Sequence, residues 1–169
     1  IWNQALGQIA VKGNNEKEKV KFYSALYNAH FLPRAFSDVD GSYPRFDGDG
    51  QIMKMDHGTY YCDFSQWDTY RAVHPLFSIL TPSRNGDMAH SLVLKGQQGG
   101  WLPIFPSWNS YTAAMIGDHC IAMIGDAIVK DTPGFDYEEA YTLMRKNAFE
   151  ANPDSGSYRD GKGRRAMES

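Results

Sequence analysis

The segment from residue 111 to residue 130 limits the fold of this chain more than any other. Placed on a helix, it carries apolar side chains on nearly every side, among them Ile116, Ile121 and Ile128. A helix with no polar face buries its surface against other helices. The segment therefore predicts an inner helix in a mainly α-helical domain.

Three capping-box signals predict further helices, since each has a capping side chain followed three residues later by an acid. They are Asn15 with Glu18, Ser65 with Asp68, and Asp136 with Glu139. The first helix is expected to stop at Pro33 and the second before Pro82, because proline has no backbone N–H to donate. Residues 37 to 64 are rich in Asp, Gly and Tyr with short β-prone runs, and they predict a loop with a β-hairpin.

Charge and hydrophobic patterning exclude several classes of partner. The 169 residues carry a net charge of -3, with scattered cations, so a nucleic-acid interface is not expected. No run reaches the roughly 20 apolar residues of a membrane span. At 169 residues the chain is short enough to be a single segment of one domain, residues 1–169. Helical patterns begin at Trp2 and end in the run Arg164–Ser169 without caps, so we expect a part of a longer polypeptide, cut at both ends.

The run from Trp67 to Arg71 combines an indole, a carboxylate and a guanidinium at a predicted helix start. In a structural interpretation, Asp68 belongs to the cap, Arg71 pairs with it one turn on, and Trp67 lies in the core. In a functional interpretation, the indole stacks on a sugar ring while the charged groups bind its hydroxyls. Both interpretations can hold together.

Asp118 and His119 form a second candidate site within the apolar segment. A buried carboxylate is costly unless it is paired or faces a cavity, and a polar funnel at the mouth of a helical barrel would accommodate Asp118. A single histidine such as His119 is more typical of a core residue with satisfied hydrogen bonds. Among the tryptophans, the turn around Trp101 favours either an indole at a rim or a buried clamp, and Trp108 remains open.

Metal chemistry finds little support in the sequence. The acidic loop 38–50 lacks the EF-hand register, because Tyr43 or Ile52 stands at the sixth position, where glycine is needed. The neighbours Asp56 and His57 are expected to project in diverging directions on a strand or helix. Motifs of metalloproteases, serine hydrolases and nucleotide enzymes do not occur. No metal site is therefore predicted within residues 1–169.

Five strings, in order along the chain, resemble glycoside hydrolase family 92. They are Phe22-Tyr-Ser-Ala-Leu-Tyr27, Asp38-Val-Asp-Gly-Ser-Tyr43, Trp67-Asp-Thr-Tyr-Arg71 with Pro75-Leu76, Gly100-Trp-Leu-Pro103 and Met115-Ile-Gly-Asp-His119. The resemblance runs over roughly residues 1 to 150. It implies the early part of an (α/α)6 toroid, the catalytic domain of calcium-dependent, inverting exo-α-mannosidases, with the β-hairpin as an excursion at about residues 37–64.

The resemblance also implies a division of roles along the polypeptide. Residues lining the sugar pocket would be Trp67, Asp68, Thr69 and Arg71, with Asp118 and His119 in second rank. No catalytic residue is expected in this segment, since the acid, the base and most calcium ligands would follow Ser169. The substrate would be a mannose-containing glycan, with α-1,2-linked mannose as the expected target. The partner would be the rest of the same polypeptide, and the location would be secreted or periplasmic.

Two other functions stay open at this point. One is a different (α/α)6 glycosidase in which Asp68 or Asp118 is itself the acid. The other is a helical interaction module whose aromatic residues fill a core. An isolated segment is expected to hydrolyse nothing under the leading hypothesis, because it lacks the acid and the base that inversion requires.

Overall fold

The computed structural model describes residues 2–46, 48, 50–112 and 114–150, of which about half are helical. The chain divides into two compact units, residues 1–32 and 33–169. The uncapped run Arg164–Ser169, expected to begin another helix, lies outside the described residues. In the described part of the chain, no helix is both long and apolar enough to cross a membrane.

The first unit contains helices α1 (Trp2–Leu6) and α2 (Glu16–Ala29). The capping prediction at Asn15 is confirmed, because its side-chain oxygen accepts hydrogen bonds from the backbone N–H groups of Lys17 and Glu18. Within this unit the Trp2 ring packs against Tyr27, with centroids 4.5 Å apart. Aromatic contact thus holds the short α1 against α2.

The second unit begins with four short strands in two antiparallel pairs. Strands β2 (Ser42–Pro44) and β3 (Ile52–Lys54) form the predicted hairpin, with Ser42 opposite Lys54. Strand β4 (Tyr61–Cys62) pairs instead with β1 (Arg34–Ala35), placing Arg34 opposite Cys62. The hairpin is therefore confirmed, and the second β-prone run belongs to a separate ladder that carries the chain into the helical part.

The helix predicted from Ser65 to Pro82 is two helices, α3 (Gln66–Thr69) and α4 (Val73–Leu80). Pro75 explains the break, because its ring would clash with the carbonyl of Arg71 in a continuous helix. The cap also differs from the prediction: the Ser65 side chain caps no backbone N–H. Instead, the Ser65 carbonyl accepts from the N–H groups of Asp68 and Thr69.

The enclosed helix of the fold is α5 (Pro82–Gly99), which packs against β4, α4, α6 and α7. Small and polar side chains make up much of its buried surface, including Asn85, Ser91 and Lys95. For that reason, the periodicity of apolar residues did not predict α5 as the enclosed helix. Its last residues end at Gly100, whose backbone is left-handed at φ 89°.

The prediction of one inner helix over residues 111–130 is wrong. Helix α6 covers only His119–Val129, and its Val129 side chain is 87% exposed. Positive φ angles at Met115 and Gly117 prevent a helix from running through that stretch. As a result Asp118 stands just before the first turn of α6 rather than in the middle of a buried helix.

Helix α7 (Tyr137–Phe149) begins as the sequence predicts, since Asp136 accepts hydrogen bonds from the N–H groups of Glu138 and Glu139. The helices α4 to α7 and strand β4 enclose a common hydrophobic core. A second apolar cluster, of Tyr43, Met55 and Tyr60, lies under the hairpin.

Candidate functional site

Three side chains of the predicted sugar-binding run lie together on the outside of the protein. We call Trp67, Asp68 and Arg71 the α3 surface. Trp67 is 40% exposed, and Asp68 and Arg71 are exposed as well. The structural interpretation of Trp67 as a core residue is therefore wrong, whereas exposure is what the functional interpretation requires.

Local contacts hold Asp68 and Thr69 in place. Asp68 Oδ2 accepts a hydrogen bond of 2.5 Å from the Ser65 hydroxyl. The Thr69 hydroxyl donates to the Ser65 carbonyl at 3.0 Å. Oδ1 of Asp68 has no hydrogen bond within the described structure, so this carboxylate keeps acceptor capacity for a ligand hydroxyl.

Arg71 contacts aromatic rings rather than a carboxylate. Its guanidinium carbon lies 4.8 Å from the centroid of Trp67 and 5.2 Å from that of Tyr70, within the range of a cation–π interaction. An Nη2 hydrogen bond to the Trp67 carbonyl adds a second tie. The expected Asp68–Arg71 ion pair is absent from the described residues. Arg71 thus fixes the indole and leaves Asp68 unneutralised.

A ring contact joins the α3 surface to the second candidate pair. The rings of Tyr70 and His119 lie with centroids 4.6 Å apart, and α3 packs on α6. Asp118 precedes His119 and accepts a long hydrogen bond of 3.5 Å from Asn147. The structure therefore brings His119 beside the element that carries the α3 surface, which sequence reasoning had treated as a separate site.

The two central tryptophans have opposite environments. Trp101 is buried at 8% exposure, and the Lys146 ammonium lies 4.7 Å from the centroid of its ring. Of the two alternatives for Trp101, the buried one is therefore correct, and the indole does not lie at a rim. Trp108 is 81% exposed. Trp108 and Asn109 both have positive φ and form a two-residue turn between Ser107 and Ser110. A bulky residue such as Trp108 is strained at positive φ, and residues with such backbone strain often lie at functional positions.

A buried polar layer lies beneath this turn, and we define it as Asp63, Lys95 and Asn109. Asp63 accepts from Arg34 Nε at 2.6 Å, from the Ser107 hydroxyl at 3.0 Å and from the Trp108 N–H at 3.0 Å. Burial alone would raise the pKa of Asp63, but these hydrogen bonds and the Arg34 charge outweigh it and lower the pKa.

Asn109 and Lys95 complete the layer. Asn109 accepts from the Tyr60 hydroxyl at 2.7 Å and donates to the Pro44 carbonyl at 2.5 Å. Lys95 has no exposed surface, donates to the Tyr61 carbonyl at 2.6 Å and lies 3.6 Å from the Tyr60 ring centroid. Burial lowers the pKa of Lys95 to about 7. No sequence pattern indicated this layer, since its members come from distant segments.

The acidic loop behaves as a turn. Both carboxylate oxygens of Asp40 accept hydrogen bonds from Ser42, one from its N–H and one from its hydroxyl, and these bonds lower the pKa of Asp40. Asp47 and Asp49, two further carboxylates of the loop, lie outside the described residues. Calcium favours roughly six to eight oxygen ligands. The described part of the loop does not provide such a set.

One expectation about the loop after β3 is wrong. Asp56 and His57 do not diverge, because they lie in a turn rather than on a strand, and Asp56 Oδ1 is 2.9 Å from His57 Nδ1. His90 of α5 stacks on His57 with ring centroids 4.8 Å apart. The three residues bring potential metal-ligating atoms within 4.8 Å of one another.

The α3 surface thus combines an exposed indole with a carboxylate that keeps acceptor capacity. The sequence matches the family described as Glycosyl hydrolase family 92 catalytic domain over residues 1–169, so the chain belongs to glycoside hydrolase family 92. The resemblance drawn from the five strings is thus confirmed. A search of curated proteins gave no match.

Solved structures of the family share the fold of this chain. One is a family GH92 α-mannosidase of Bacteroides thetaiotaomicron in complex with mannoimidazole, with 37% identity and a TM-score of 0.83 over 90% of this chain. A second structure of that mannosidase gives the same values. An inverting GH92 mannosidase of the same organism has 29% identity and a TM-score of 0.81 over 92% of this chain.

The chain spans about a fifth of the length of these relatives, with 20% of the first, 21% of the second and 21% of the third covered.

Proposed function

We propose that this chain is part of an inverting exo-α-mannosidase and that the α3 surface binds the terminal mannose of a glycan. The observation that carries the proposal is the exposed Trp67 indole beside the exposed Asp68 carboxylate, one turn from Arg71. An indole face packs on the apolar face of a sugar ring, and a carboxylate accepts hydrogen bonds from its hydroxyls. The solved relatives are mannosidases, and one carries the ligand mannoimidazole.

The residues around the α3 surface have supporting roles in this proposal. Arg71 orients the indole through its cation–π contact, and Ser65 and Thr69 fix the turn that presents Asp68. His119 contributes through its contact with Tyr70, and Asp118 lies beside it at the start of α6. The helices of this segment would be the early part of an (α/α)6 toroid, completed by the remainder of the same polypeptide.

Bond cleavage is assigned to residues beyond Ser169. Inversion needs an acid for the leaving oxygen and a base for water, at carboxyl separations of roughly 6.5–9.5 Å. Calcium, the cofactor that the family resemblance implies for the complete enzyme, would likewise be held mainly by residues outside this segment. The α-1,2 preference and a secreted or periplasmic location are further parts of the proposal.

The test is Asp68→Asn in the full-length enzyme, assayed with an aryl mannoside and a natural mannoside. Losing one charged hydrogen-bond acceptor is expected to weaken binding of mannoimidazole and raise KM by about tenfold or more, with kcat changed much less. Glu138→Gln is the matched control, since Glu138 is also an exposed acid in the first turn of a helix. Both constants should stay at wild-type values there.

The competing enzyme hypothesis gives a different result. If Asp68 were the acid itself, Asp68→Asn would abolish turnover of the natural substrate, and the loss would appear in kcat rather than in KM. The interaction-module hypothesis predicts no saturable binding of mannoimidazole by the intact protein. Either outcome would overturn the sugar-binding role of the α3 surface.

A further inference from the structure

The loop that follows β3 approaches helix α5 so closely that only glycine fits at position 58. Gly58 has φ 67°, and a Cβ atom there would stand 2.2 Å from Asp87 Oδ1. The backbone N–H of Thr59 then donates to Asp87 Oδ2 at 3.1 Å. This close approach places Asp56 and His57 directly beside His90, which lies one turn after Asp87 on α5.

His57 is oriented as a metal-binding histidine is. Its Nε2 lies 3.1 Å from the Gly134 carbonyl, so an N–H at that position donates to it. Metal-ligating imidazoles commonly donate their second N–H to a carbonyl in this manner, which fixes the tautomer and directs the other nitrogen to the metal. The other nitrogen, Nδ1, faces Asp56 Oδ1 at 2.9 Å.

His90 supplies an observation that a hydrogen-bond network alone does not explain. Its Nδ1 is buried and has no hydrogen-bond partner among the described residues. A buried polar atom without a partner is costly and calls for a ligand or water.

We propose that Asp56, His57 and His90 bind one Zn²⁺ ion. The donors are two imidazole nitrogens and one carboxylate oxygen, all within 4.8 Å of one another. Two imidazoles and a carboxylate are a donor set of zinc sites, whereas calcium requires an oxygen shell. Zn–N distances of about 2.0–2.1 Å require the ligands to draw together, and the side chains of Asp56 and His57, 76% and 51% exposed, leave room for that movement.

Such an ion would link three segments of the second unit. The ligands come from the loop after β3 and from α5, and the Gly134 carbonyl that orients His57 comes from the connection between α6 and α7. Asp87, beside the cluster, adds negative charge that favours a cation. Three protein ligands leave a fourth position for water.

The experiment uses the tag-free, full-length protein, saturated with calcium and titrated with ZnCl₂ by calorimetry. The wild type is expected to bind one zinc ion that excess calcium does not displace. His57→Gln and His90→Gln should each weaken that affinity by at least about tenfold. His119→Asn, which removes a half-buried histidine outside the cluster, should retain it.

Two results would overturn the site. One is a zinc affinity that is the same in the wild type, His57→Gln and His90→Gln. The other is complete displacement of zinc by calcium. Because His90 lies on the central helix, circular dichroism must show His90→Gln folded, and the exposed His57→Gln variant decides the result if it is not. A visible Co²⁺ spectrum that His57→Gln abolishes would support the same ligands independently.

Discussion

The α3 surface and the buried polar layer each place a carboxylate near a cation and aromatic rings. The two carboxylates differ in how many hydrogen bonds they accept. At the α3 surface, Asp68 has one hydrogen bond to a neighbouring hydroxyl, and Arg71 contacts rings instead of the acid. In the buried layer, Asp63 has hydrogen bonds from Arg34, Ser107 and Trp108. Asp68 therefore keeps hydrogen-bond acceptor capacity for a ligand, whereas the acceptor capacity of Asp63 is occupied by protein donors.

This comparison separates stability from ligand binding. A fully satisfied buried acid stabilises the fold, and its removal leaves charged and polar groups without partners. An exposed acid with spare acceptor capacity contributes little to stability and much to recognition of a ligand. Four tests probe that separation, from the largest expected effect on stability to the smallest.

Asp63→Ala should destabilise the protein most, by about 2–4 kcal/mol, because the Ser107 hydroxyl and the Trp108 N–H lose a charged acceptor. Urea denaturation measures the change. The folded pKa of Asp63 lies below its unfolded value, so its contribution is present above the unfolded pKa and is lost as pH falls through the folded pKa. Asp63→Asn should flatten that acid dependence. A loss below about 1 kcal/mol for Asp63→Ala would contradict the structural role.

At a pH above about 10, where the buried charge no longer costs stability, Lys95→Met should destabilise the fold by about 1–3 kcal/mol, since the Tyr61 carbonyl loses its buried donor. Its signature is the pH dependence. Burial sets the folded pKa of Lys95 at about 7, below the unfolded value of 10.5, so the unfolded chain binds more protons between these values. Wild-type stability should therefore gain from this group as pH rises from 7 to 10.5. The variant should lack that gain, and an unchanged profile would refute the assignment.

The helix starts of α7 and α3 offer a smaller, matched test. Asp136→Ala removes two backbone hydrogen bonds at the start of α7 and should cost about 1 kcal/mol. Ser65→Ala removes no capping bond from α3, so we expect a stability loss below about 0.5 kcal/mol. Because it removes the hydroxyl that holds Asp68, Ser65→Ala should still weaken mannoimidazole binding. Equal stability losses in thermal unfolding would break the comparison.

Trp67→Ala should have the smallest effect on stability, about 0.5 kcal/mol or less, because the indole is partly exposed. Binding of mannoimidazole by the full-length enzyme should fall by about tenfold or more, since the sugar loses its stacking surface. The exposed Tyr141→Ala on α7 serves as the control. A Trp67→Ala protein that unfolds readily yet binds normally would assign the indole to packing.

The sequence predicted features that depend on neighbouring residues. Asn15 and Asp136 cap their helices as predicted because a cap requires only the next three residues. The break between α3 and α4 is equally local, and Pro75 signals it once the carbonyl of Arg71 is considered. The chemistry of Trp67, Asp68 and Arg71 also indicated a candidate site, but it left open whether the indole was buried or exposed.

Features that depend on distant residues were missed. Helix α5 buries Lys95 because the Tyr61 carbonyl and the Tyr60 ring receive its ammonium group, and neither partner is visible from the sequence of the helix. The cluster of His57 with His90 requires the turn at Gly58. Likewise, the positive φ angles that shorten α6 follow from the loop around Met115 rather than from hydrophobic periodicity.

The complete enclosure of Lys95 makes its amine a sensor of the protein's own opening. An amine-directed reagent modifies exposed lysines such as Lys17 at once, but it reaches Lys95 only when α5 separates from β4. The rate of labelling at that single position, read by mass spectrometry, therefore measures how often the interior admits solvent.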